Sequence, residues 1–187
     1  MKRYLRIISI FLVFGFVLGV SIVSAELVLD PESSAVRLKV KASPPHTFTC
    51  DLMAYDAQVD IDPVSGVFRS VRFSFQLSDL ETHNKSRNKK MLKWMGEDFD
   101  TIIWTMTSVE ETEGGYLAKG TLLMHGESRP VDVLFHMSVD DGVYNITGSA
   151  DFDYRDFQLP IIKLLIFKVN PQLHVDFQLK GAISKSK

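Results

Sequence analysis

Apolar and polar residues alternate with a period of two along most of this chain. Val36, Leu38 and Val40 form the first such run, and Met53, Tyr55, Ala57, Val59 and Ile61 the second. Val71, Phe73, Phe75 and Leu77 follow, then Ile102, Trp104 and Met106. Further runs span Tyr116–Met124, Val131–Val139, Tyr144–Phe152 and Leu173–Leu179. Side chains two apart on a strand point the same way, so each run predicts a strand with one dry and one wet face.

Short turn signals separate the runs. They include Asp62-Pro63-Val64-Ser65-Gly66, Glu113-Gly114-Gly115, Gly126-Glu127-Ser128-Arg129-Pro130 and Asp140-Asp141-Gly142. Such spacing predicts antiparallel neighbours, not βαβ crossovers. The runs number eight. The fold expected is all-β, an eight-stranded antiparallel barrel, because closure removes exposed edges. A two-sheet sandwich is the structural alternative.

Two segments break the pattern. Asn84–Gly96 is rich in helix formers, with Met91, Leu92 and Met95 read on one face and Gly96 placed for a C-cap. It predicts one short inserted helix. Pro160–Lys168 is nearly all apolar where a polar loop is expected, flanked by Lys163 and Lys168. It is expected to form an apolar lid or rim that touches the ligand or a membrane.

The N-terminus alters the composition. Lys2, Arg3 and Arg6 precede an apolar run from Ile7 to Val20, then Val23-Ser24-Ala25. This is the pattern of a secretory signal peptide cleaved after Ala25, with a retained membrane anchor as the alternative. The expected organisation is therefore 1–25 signal peptide and 26–187 a single β domain. Removing three cations and no acid shifts the net charge from −2 to −5. No basic excess is available for gripping nucleic acid. The single cysteine, Cys50, excludes an internal disulfide and cysteine-rich metal sites, and reads as a small buried thiol.

Candidate chemistry is sparse. The five histidines form no HxH or HxxxH pair, and His136 and His174 fall on wet parities. Asp60-x-Asp62 and Asp151-x-Asp153 sit beside turns, where acids act as turn formers. There is no GxSxG sequence and no phosphate loop. Neither a metal site nor a cofactor is expected. What remains is apolar bulk on the inner parities: Phe73, Phe75, Trp104, Met106, Met124, Phe135, Met137, Phe152 and Phe177. An eight-stranded barrel is at the size where such a lining either fills the interior or encloses one small ligand. The pattern alone leaves both open.

Three stretches add a resemblance. Leu80-Glu81-Thr82-His83-Asn84-Lys85-Ser86-Arg87-Asn88-Lys89-Lys90-Met91, followed by Asp98-Phe99-Asp100, is similar to the Leu-x-Thr-x-Asn-x-x-Arg-Asp segment of the YceI-like family of polyisoprenoid- and lipid-binding proteins. Gly120–Val131 resembles that family's Gly-x-Leu-Thr-x-x-Gly-x-Thr-Arg/Lys-Pro-Val hairpin. Asp153-Tyr154-Arg155-Asp156-Phe157 resembles its Arg-x-x-Phe-Gly stretch. Departures are Asn88 for the family's Asp, Asp100 for a proline and Gln158 for the glycine after Phe157.

The resemblance implies a lipocalin-like extended barrel, export to the bacterial periplasm or cell envelope, and no catalysis. It implies non-covalent carriage or sequestration of a long-chain isoprenoid or other fatty-acid-like lipid, lined also by Leu77, Met91, Leu122 and Phe157. Thr82, Asn84, Arg87 and Arg155, in the family-like stretches, are the candidates for orienting a head group at the mouth. The rival reading is a structural, partner-binding envelope module with a filled barrel. A monomer and a homodimer both stay open.

Overall fold

The computed structural model describes residues 25–43, 46–96, 98–164 and 167–184. The segment read as a signal peptide therefore lies, up to residue 24, outside the described residues, as does the tail from 185.

The strands in chain order are β1 (Ala25–Leu29), β2 (Ala35–Ser43), β3 (His46–Leu52), β4 (Asp56–Ile61), β5 (Phe68–Gln76) and β6 (Leu80–Glu81). After helix α1 (Lys85–Met95) come β7 (Thr101–Thr112), β8 (Gly115–Met124), β9 (Glu127–Pro130), β10 (Val133–Asp140) and β11 (Val143–Asp153). Two short strands, β12 (Lys163–Leu164) and β13 (Phe167–Val169), precede β14 (Gln172–Ile183).

All pairings are antiparallel, and the sheet closes on itself. β4, β5, β7, β8, β10, β11 and β14 are successive neighbours. β14 then meets β1 through Leu27 opposite Ile183, and β1 meets β4 through Glu26 opposite Asp60. The other half of β14 pairs with β2, which pairs with β3, which pairs with β6. β1 with β2, β3 with β4, and β5 with β6 are thus three interrupted staves of a closed eight-stranded antiparallel barrel with one helix, as the alternation predicted.

The breaks are where sequence and structure part. Met53–Ile61 reads as one strand, yet Met53 is 68% exposed and the ladder resumes only at Asp56. The Met53 amide instead donates to the Asp79 carbonyl, and Tyr55 stacks on Phe73. Pro160–Lys168, expected as a loop, contains the β12–β13 hairpin, whose second strand joins β2 through Lys168 opposite Ser43. Residues 165 and 166 lie outside the described residues. β1 follows no alternation long enough to announce it, but Leu27 is fully buried.

Turns obey their chemistry. Asp141 and Gly142 both adopt positive φ, the geometry of the Asp-Gly hairpin turn between β10 and β11. The Asp62 carboxylate accepts from the amides of Val64 and Ser65 and binds Arg69, so it builds a turn. α1 starts where the Asn84 side chain caps the Arg87 amide, at 3.0 Å, and stops at Gly96, whose φ is positive.

Buried side chains form two clusters. One holds Cys50, Leu77, Leu80, Met95, Ile102, Tyr154 and Phe157 near α1; the other holds Leu27, Ile61, Phe68, Phe135, Tyr144 and Ile146. Trp104 packs against both.

Candidate functional site

Inward-facing side chains from these staves do not meet in the middle. They surround an internal cavity of about 260 Å³ whose wall is apolar throughout. Phe73, Phe75, Phe152 and Phe177 are on the dry parity yet only half-buried, because they face this void. The interior is hollow, so the filled-barrel alternative does not describe it.

Of the side chains read as lining, Phe73, Phe75, Leu77, Met91, Trp104, Met106, Leu122, Met124, Phe135, Phe152 and Phe177 are on the wall. Met137 and Phe157 are not. Met137 packs at the edge of the second cluster, and Phe157 is fully buried in the first, edge-on to Phe152. Phe157 closes a 3₁₀ turn, Tyr154–Phe157, behind the wall, a geometry that strand parity does not cover.

The sequence reading missed Trp94, Met95, Leu52 and Phe68 on the wall. For α1 the helical phase is the reason. Met91, Trp94 and Met95 share the inner face, while Leu92, read as inward, is 39% exposed. The spacing i, i+3, i+4 from Met91 carried that signal. Trp94 is fixed by its indole N–H donating to the Pro160 carbonyl at 2.8 Å and by an edge contact with Tyr154. The described side chains of 160–169 are not on the wall, and Pro160 reaches the cavity's helix through this hydrogen bond.

None of the four head-group candidates is on the wall either. Asn84 caps the helix. Thr82 is 1% exposed, its amide and hydroxyl donating to the Asn88 carboxamide oxygen. Asn88 in turn donates from its NH₂ to Glu81 at 2.8 Å, which the family's Asp at this place could not do. Arg155 grips Asp153 through several N–H donors, and Asp153 also accepts from Gln172. The Arg155 guanidinium holds the Asp153 carboxyl below the usual carboxylate range.

Arg87 is different. It stacks 3.9 Å over the Phe48 ring and donates to the Thr82 carbonyl at 2.6 Å, but its buried Nε has no partner among the described residues. The only other orphaned buried side-chain polar atom among them is the Tyr55 hydroxyl, beside Phe73.

Among the described residues no acid–base pair or nucleophile lies on the wall. Cys50 is 1% exposed, and burial pushes its thiol up to about 11, so it is not a thiolate at neutral pH. His174 sits on the outside between Asp151 and Asp176, and its pKa is raised chiefly by the Asp151 hydrogen bond. Among the described residues no group of three or more His, Cys, Asp or Glu side chains is placed to hold a metal ion.

The sequence profile of the YceI-like domain matches residues 27–181. Comparison with curated proteins finds no match. Solved structures share the fold. BcnA of Burkholderia cenocepacia superposes with a TM-score of 0.70 at 17% identity, covering 82% of this chain and 99% of BcnA. A polyisoprenoid binding domain from Saccharophagus degradans, implicated in plant cell wall breakdown, gives 0.62 at 12% identity, covering 88% and 100%. The YceI protein of Campylobacter jejuni gives 0.55 at 19% identity, covering 73% and 85%.

Proposed function

The chain belongs to the YceI-like domain family, and from that premise we propose that it holds the apolar chain of an isoprenoid or other long lipid inside the barrel and carries or sequesters it through an aqueous compartment. The observation that carries this reading is the continuous apolar wall around an open interior, drawn from residues as distant as Leu29 and Met95. A guest burying roughly 400 Å² of apolar surface gains about 10 kcal/mol before association costs. The described wall residues are all aliphatic, aromatic or methionine, so the tail enters and the polar end stays at the rim. The function is binding, not catalysis, because no described wall residue can move a proton or form a covalent bond.

Arg87 is the residue for the head group. Its stacked guanidinium carries fixed positive charge and an Nε–H without a partner among the described residues, which suits a phosphate, carboxylate or carbonyl oxygen. Thr82, Asn84 and Asn88 hold the turn from which Arg87 projects, and Arg155 is a structural ion-pair partner.

The basic, apolar N-terminus supports export with cleavage after Ala25 and a periplasmic or envelope location. That cut would remove one paired residue of β1, Ala25 opposite Ile61, and leave Glu26 opposite Asp60. The apolar 160–168 stretch touches membrane during transfer, and serine at Leu164, Leu165 and Phe167 slows lipid exchange.

Native mass spectrometry of the protein, with extraction of whatever co-purifies, tests the reading. A long-chain apolar molecule at a fixed ratio is the expected result. Protein that is folded, carries no lipid and takes up none from vesicles ends it.

A further inference from the structure

The outer face of α1 is charged in a way the fold does not require. Lys85, Lys89 and Lys93 are all exposed and, four residues apart, form one stripe about 12 Å long. Lys90 is exposed beside them, and Leu92 is exposed on the stripe's other edge. Between His83 and Gly96 there is no Asp or Glu, in a chain whose acids outnumber Lys and Arg by 23 to 21. Two lysines elsewhere are paired with carboxylates, Lys39 with Asp176 and Lys119 with Glu110. The α1 lysines have none within ion-pair distance among the described residues.

Like charges at i, i+4 destabilise a helix, so folding does not account for the stripe. The inner face of the same helix, through Met91, Trp94 and Met95, forms part of the cavity wall. The root of the 160–168 hairpin is tied to it by the Trp94–Pro160 hydrogen bond, and that hairpin sets Lys163 directly opposite Lys168.

We infer that the outward lysine stripe of α1 docks this end of the barrel on an anionic phospholipid bilayer. The site is a convex row of lysine point charges with an exposed leucine at its edge. It has no cleft, and it lacks the arginine forks that would read a shaped acidic partner. Ammonium groups in a row meet a plane of phosphates, and Leu92 enters the interface. Docking this way turns the helix that roofs the cavity toward the membrane. The inference rests on the carrier reading only for what docking delivers; the contact itself does not depend on the guest.

Sedimentation of the purified protein with vesicles of phosphatidylcholine alone, or with a third phosphatidylglycerol, tests it. Binding is expected only to the anionic vesicles and weakens from about 0.05 to 0.5 M salt. Each lysine removed weakens binding about fivefold. Lys85→Gln/Lys89→Gln/Lys93→Gln therefore loses about a hundredfold. The control Arg72→Gln/Lys119→Gln/Lys180→Gln, which removes as much charge elsewhere, stays within about threefold.

Unchanged binding by the helix triple, an equal loss in the control, or equal binding to neutral vesicles overturns the inference. So does capture by poly-glutamate with none by vesicles, which points to an acidic protein instead. Circular dichroism melts establish that both triples fold. Co-purified lipid is measured on the same samples. Lipid retained with docking lost separates the two ideas, and docking retained by protein that takes up no lipid sinks the carrier reading alone.

Discussion

Trp104 packs so closely over Gly120 of the neighbouring strand that a Cβ at Gly120 would overlap the indole. The ring is held there by its N–H donating to the Val131 carbonyl at 2.9 Å. Trp104 touches both core clusters and the cavity, so this close approach positions one of the largest side chains of the wall. Gly120→Ala should push the indole into the void, break the bond to Val131 and destabilise by about 1–3 kcal/mol. Urea melts read the stability loss, and a shifted tryptophan emission with reduced lipid uptake reads the displaced ring. A native-like melt and emission would overturn this role for the contact.

Filling the cavity should separate binding from folding. Ala57 is a small residue on the wall. Ala57→Phe adds volume where there is empty space, so stability should change by less than about 1.5 kcal/mol while lipid uptake falls at least tenfold. Uptake of a fluorescent fatty acid, set beside a thermal melt, is the measurement.

Asn88 departs from the family's Asp, and the structure gives the reason. It accepts from Thr82 while donating to Glu81. Asn88→Asp would set two carboxylates against each other and cost about 1–2 kcal/mol at neutral pH. The penalty should shrink below pH 4, where one carboxyl takes a proton. Melts of both proteins across pH 3–8 check this.

Gln158 stands where the family has glycine, and its φ of 59° lies in the left-handed region. A non-glycine residue there costs about 1 kcal/mol. Gln158→Gly should therefore stabilise by about 0.5 kcal/mol, the gain being reduced by loss of the Gln158–Glu127 hydrogen bond. Chemical denaturation decides the sign.

His174 gives the protein a pH dependence. Hydrogen bonds to Asp151 and then Asp176 raise its folded pKa above the ordinary value of 6.5. The protonated ring therefore stabilises the fold fully below about 6.5, and that contribution is lost as pH rises through the raised value. His174→Gln should remove this loss of stability as pH rises above about 6.5. NMR titration of the ring should show the raised pKa, and Asp151→Asn should lower it.

Much of the fold was legible along the chain, for a physical reason. A strand's side chains alternate faces whatever its neighbours do, so the eight runs, the Asp-Gly turn and the capped helix could be read locally. The apolar identity of most of the wall came with the same parity. Where staves break, alternation says nothing: Met53 is out in solvent while its amide bonds the distant Asp79 carbonyl, and a 3₁₀ turn carries Phe157 behind the wall, edge-on to Phe152. Whether the lining fills the barrel or leaves it open is also not a local property. It depends on how far apart eight staves stand once Trp104, Gly120 and the roof of Met91, Trp94 and Met95 are in place. Local alternation tells which strand side chains turn inward. That they do not meet, and that Arg87 ends with an unpartnered Nε–H on a helix whose outer face is lysine, follows from closure of the barrel around them.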